Sequence, residues 1–183
     1  GGTVTFTVTL DQDVDHGVDV AYTTTDDSIV INAASGILEG PATFDEDYVG
    51  IQGTLQFDGN AGEQKNITVS VVADATVELN ETFFVDLLNI DAGGREVTFG
   101  DKQDRSIATI VNDDSATLSI DDVAMVEGDD DAQATTFAFT VTLDGPVDSG
   151  VQVDLQTVGQ TATAGVDFED LLGQPLSFLG RNS

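Results

Sequence analysis

The chain of 183 residues has no cysteine, no tryptophan and a single histidine, and it sets only 5 Lys+Arg against 34 Asp+Glu. Without cysteine there can be no disulfide scaffold, thiolate metal site or Cys nucleophile. The shortage of basic side chains leaves a formal net charge of −29. That charge argues against nucleic acid and anionic membrane as partners, since both require a positive surface; metal cations are the natural counter-species. No apolar run approaches the roughly 20 residues needed to span a bilayer, and no charged-then-apolar leader is present. Helical periodicity is absent, and no glycine-rich stretch has phosphate-cradle spacing; Gly93-Gly94 reads as a hairpin turn.

What is present is a core and a pattern. Hydrophobic residues make up 40% of the chain, enough to argue against the disorder that high charge alone would suggest. The acid is biased to 26 Asp over 8 Glu, a choice that favours turns and metal-binding loops over helix surfaces. Val4, Phe6, Val8 and Leu10 alternate with threonines, the period of a half-buried strand. Similar runs are expected at 18–24, 54–57, 67–72, 82–88, 107–111, 117–120, 136–143, 151–156 and 176–178. Short strands separated by Asp and Gly clusters predict an all-β antiparallel sandwich of the immunoglobulin-like kind.

The sequence also repeats. FTVTLD occurs at 6–11 and again at 139–144, and ATFDEDYVGIQGTLQF (42–57) matches ATAGVDFEDLLGQPLSF (162–178), with Asp47-Tyr48 over Asp167-Phe168. The first copy carries about 13 extra residues between these matches, expected as a loop or added hairpin near Asp27–Gly40. In phase, residues 1–114 read as one module lacking its first strand and residues 115–183 as the first half of a second. The expectation is a segment of a longer array, or a subunit whose neighbours supply the missing strands.

Acids gather at strand ends in DEDY (45–48), DATVELNETF (74–83), NDD (112–114) and EGDDD (127–131). If the strand at 67–72 ascends, those at 54–57 and 82–88 descend and that at 107–111 ascends. Asp47, Asp74, Glu78, Glu81, Asp113 and Asp114 then all fall at one end, together with the linker after Asp114. Such a cluster suits Ca²⁺, which takes six to eight oxygen ligands in forgiving geometry; Mg²⁺ is stricter and zinc prefers His or Cys. Scattered acids such as Asp13, Asp15, Asp58, Asp101 and Asp104 read as solvating surface.

DYVGIQGTLQF, then ITVSVVADATVELNETFFVDL, then ATIVNDD together resemble the Calx-β module, the calcium-binding β-sandwich of sodium/calcium exchangers and of many large extracellular and bacterial surface proteins. The resemblance covers nearly the whole chain. It implies Ca²⁺ ligands at Asp47, Asp74, Glu78, Glu81, Asp113 and Asp114 in the first copy, and at Glu127, from the family's E-G motif, beside Asp167 in the second. Catalysis is not expected. Glu78 and Glu81 as a glycosidase pair would lack apolar shielding, and His16 reads as a turn residue with no triad partner. The expectation is therefore a non-enzymatic, calcium-binding structural or adhesion module, extracellular or at the cell surface, in which Ca²⁺ stiffens loops and the inter-module junction. Its partners would be calcium ions and neighbouring modules or identical subunits, without nucleic acid or a membrane span. Two alternatives stand beside it: a protomer of an extracellular fibre or sheath assembled by strand exchange, and a regulatory calcium sensor.

Overall fold

A computed structural model describes residues 1–27, 31–32, 37–101, 103–129 and 135–181. They form strands β1 (Thr3–Leu10), β2 (Val18–Asp26), β3 (Ile31–Asn32), β4 (Ile37–Pro41), β5 (Gln52–Phe57), β6 (Glu63–Ser70), β7 (Asn80–Asp91), β8 (Arg105–Ile110), β9 (Leu118–Ile120), β10 (Val141–Leu143), β11 (Val151–Leu155) and β12 (Gln174–Phe178). No helix occurs among the described residues, so the all-β reading holds. The chain divides into two compact units, one of Gly1–Asp74 with Leu79–Asn112 and the other of Ala75–Glu78 with Asp113–Ser183.

In the first unit β1 pairs antiparallel with β6, while β3, β4, β7, β2 and β5 form a second sheet with β8 added to β7. Alternation puts Val4, Phe6 and Val8 against the core and the intervening threonines in solvent. Phe83 is fully buried, stacked on Tyr48 with centroids 4.3 Å apart and met edge-on by Phe6 at 6.3 Å. Val18, Ile67 and Val69 complete the most deeply buried layer. The extra residues of the first copy form the expected hairpin: β3 pairs antiparallel with β4. β4 then runs parallel to the start of β7 through Glu39↔Asn80, Gly40↔Glu81 and Pro41↔Thr82. Residues 28–30 and 33–36 of that expectation lie outside the described residues.

The second unit consists of two strand pairs, β9 with β10 and β11 with β12. Val77, in Ala75–Glu78, donates its amide to Pro146 and accepts from Asp148, both at 3.0 Å. Val147 is buried, whereas Phe137, Phe139, Val166 and Leu172 stay exposed. The strand expected at 136–143 is reduced to Val141–Leu143, because a strand extends only as far as it has a partner and β9 offers three residues.

The repeat is reproduced in hydrogen bonds. Thr24 donates its amide to the Ile51 carbonyl, and its hydroxyl accepts the Ile51 amide, both at 2.9 Å. Thr157 and Leu171 do the same at 2.9 and 2.8 Å. Val18↔Phe57 in β2–β5 likewise corresponds to Val151↔Phe178 in β11–β12.

Candidate metal centre

Strand directions follow from the pairings. β7 is antiparallel to both β2 and β8, and β5 is antiparallel to β2. The end of β2, the start of β7 and the end of β8 are therefore at one end of the sheet, joined by Asp26↔Phe83 and Glu81↔Ile110. The turn before β5 reaches the same end, because Tyr48 bridges to Val71 just after β6.

That turn is tightly specified. Asp45 donates its amide to the Tyr48 carbonyl (2.9 Å), and the amides of Glu46 and Asp47 converge on the Thr43 carbonyl (3.2 and 3.0 Å). Asp47 closes the ring by accepting the Thr43 amide on Oδ2 at 2.6 Å, which fixes its carboxylate. The second copy builds the same turn, with Thr163 donating to Asp167 Oδ2 at 2.7 Å. The residue that must take a left-handed backbone is Gly165 there (φ 74°) and Asp45 here (φ 66°).

Asp47 and Glu81, both of the first unit, bring carboxylate oxygens within 4.8 Å of each other. Asp47 comes from the turn and Glu81 from the start of β7. Both are half-buried. This arrangement passes the test of fit for calcium: oxygens held at about 2.3 to 2.6 Å from an ion stand at most roughly 5 Å apart. Two such charges at that spacing repel by about 3 kcal/mol at an effective dielectric of ~20, so a cation between them is favourable. The remaining expected ligands are placed otherwise. Glu78, half-buried, belongs to the second unit, as does the half-buried Asp114, and Asp74 is exposed. Asp113 is exposed and follows Asn112, whose amide is held by Asn80 Oδ1 at 3.1 Å. Asp167 is exposed and engaged in its own turn, and Glu127 is exposed with its carbonyl accepting the Thr135 hydroxyl.

Asp26 and Asp27 are functional neighbours that the sequence reading missed. Asp26 Oδ1 accepts the Tyr48 hydroxyl at 2.6 Å and the Phe44 amide at 3.1 Å. Asp27 Oδ2 accepts the Thr82 hydroxyl at 2.8 Å, one residue from Glu81. Burial, then the Asp26 hydrogen bond and charge, push the Tyr48 hydroxyl well above its ordinary pKa, so it stays a donor. The available signal was that β2, antiparallel to β5, must end where the other acids lie. Three of the five basic side chains are committed elsewhere, in the pairs Lys65–Glu63 (2.9 Å), Arg95–Asp15 (2.6 Å) and Arg105–Asp86 (2.5 Å).

A family model described as the Calx-beta domain matches residues 1–123 and 113–179. Among solved structures, the chain is 23% identical to the apo-form Calx CBD1 domain over 62% of this chain and 84% of that one, with a TM-score of 0.48. It is 23% identical to CBD12 from CALX1.2, with a TM-score of 0.49, and 21% identical to the calcium binding domain CBD12 of CALX1.1, with a TM-score of 0.48. In both cases it is covered completely and spans 66% of the other chain. No curated protein matches it.

Proposed function

The chain belongs to the Calx-beta domain family of calcium-binding, non-catalytic modules, and from that premise we propose that it binds Ca²⁺ at one end of its first sandwich and serves as a structural module outside the cell or at its surface. The convergence of Asp47 and Glu81 carries the reading. Asp47 and Glu81 would hold the ion from the turn and from β7. A bound cation supplies positive charge that cancels repulsion among acids brought together from separate loops. The protein's own part is preorganisation: the Thr43 amide orients Asp47, and Asp26 anchors the turn through Tyr48 and Phe44. In the array, calcium would stiffen these loops and the linker that follows Asp114, with neighbouring modules or identical subunits as partners.

Calorimetric titration with CaCl₂ tests the site. Exothermic or endothermic saturation is expected for the native chain, at least tenfold weaker affinity for Glu81→Gln, and a weaker response to Mg²⁺. Equal heats for both proteins would overturn it. Affinity also sorts the role: structural extracellular modules work near 10⁻⁴ to 10⁻³ M and sensors near 10⁻⁷ to 10⁻⁵ M, as orders of magnitude. Sub-micromolar binding would favour the regulatory sensor.

A further inference from the structure

Backbone groups of alternate strand residues point to opposite edges. On β7 the Leu87 amide donates to the Asp104 carbonyl at 2.7 Å, so the odd-numbered residues from Glu81 to Leu87 face β8 and the even-numbered ones face the other edge. β2 occupies that other edge only as far as Asp26↔Phe83. Beyond it β4 takes over through Gly40↔Glu81 and Pro41↔Thr82, and the Ala42 amide donates to the Thr82 carbonyl at 2.9 Å. Gly40, two residues before Ala42, turns its amide to β7 by the same alternation. Glu81 is thereby flanked by Gly40 on one side and Ile110 on the other. Its neighbour Thr82 is fully buried, with its hydroxyl donated to Asp27 at 2.8 Å.

β4 lies within the extra residues that distinguish the first copy from the second. The second copy closes its Thr163–Asp167 ring without them, at 2.7 Å against 2.6 Å for Thr43–Asp47. The added strand is therefore not required for the turn that carries Asp47; what it adds is a second flank for Glu81. A Cβ placed on Gly40 would stand 3.7 Å from both Cγ and Oε1 of Glu81, so the glutamate side chain lies over a residue that has none of its own.

We propose that β4 is a brace that positions Glu81 for the cation, so that the seating of β4 on β7 and calcium binding strengthen each other. The inference rests on Asp47 and Glu81 as cation ligands. Because Asp47 lies in the turn directly after β4, repulsion that parts the two carboxylates also draws the end of β4 from β7. A cation between them reverses that force. By linkage, a well-seated β4 raises calcium affinity by the factor with which calcium tightens the seat.

Amide hydrogen exchange of the full chain in EDTA and in saturating CaCl₂ reads the seat at Ala42, with Val69, fully buried on β6, as reference. In EDTA, Ala42 is expected to exchange faster than Val69, by local opening, and calcium should slow it roughly tenfold or more. An Ala42 rate that calcium leaves unchanged while calorimetry shows binding would overturn the brace and leave the ligands standing, as would an Ala42 already as slow as Val69 in EDTA. Absence of binding heat would remove the ligands, and the brace with them. The reverse direction compares Gly40→Pro, which deletes the amide facing β7, with Gly40→Ala, which keeps it. Calcium affinity should fall roughly fivefold or more for the first and stay native for the second. Native affinity in Gly40→Pro would overturn the proposal. The exchange measurement needs no substitution, so it decides even if Gly40→Pro fails to fold.

Discussion

Tyr48 donates its hydroxyl to Asp26 Oδ1 at 2.6 Å while its ring stacks on Phe83, so one buried side chain joins the end of β2, the turn carrying Asp47 and the centre of the core. The second copy has Phe168 at the matching place. Tyr48→Phe should therefore keep the stack and lose the bond, costing about 1 to 2 kcal/mol. Urea unfolding measures the loss, and a calcium titration should show weaker binding as the turn loosens.

Replacing Glu81 with Gln separates repulsion from ligation. In EDTA the variant should be as stable as the native protein or more so, because one of two converging charges is gone. At a calcium concentration about 100 times the native dissociation constant, the native protein gains about 2.7 kcal/mol, and the variant should forgo most of it. Thermal melts with and without calcium read both effects.

Asp45 occupies a left-handed backbone position that glycine fills in the second copy. Asp45→Gly should relieve strain of about 1 kcal/mol, raising the unfolding temperature by a few degrees while leaving the Asp47 turn intact. A lower melting temperature would show that Asp45 is held there by a favourable contact.

Burial alone would raise the pKa of Asp86. Hydrogen bonds from Arg105 and Thr25, with the guanidinium charge, outweigh it and leave the carboxyl below its usual range. Arg105 is also seated 4.4 Å above the Phe84 ring. A depressed folded pKa gives stability that is present above the unfolded value near 3.9 and lost as pH falls through the folded one. Asp86→Asn should thus cost about 1 to 3 kcal/mol near neutral pH, and the difference from the native protein should shrink below about pH 4. Unfolding free energies across pH 2 to 7 check the sign.

The sequence alone determined most of the strands, the repeat and the end at which the acids gather. Period-two alternation and Asp-Gly turns are local signals, and once neighbouring strands alternate in direction the end each loop occupies follows from counting. Tertiary structure decided which acids meet. Parity brings Asp74 and Asp113 to the same end as Asp47, but convergence within 4.8 Å depends on the Thr43–Asp47 ring and on the register of β7 against β4 and β8, which no single segment encodes. The roles of Asp26 and Asp27 were hidden for the same reason, since their partners Tyr48 and Thr82 lie 22 and 55 residues away. The identical hexapeptides at 6–11 and 139–144 are equal in sequence and unequal in pairing. Only the folded chain shows which neighbour each hexapeptide takes, because pairing is a property of neighbours rather than of the strand.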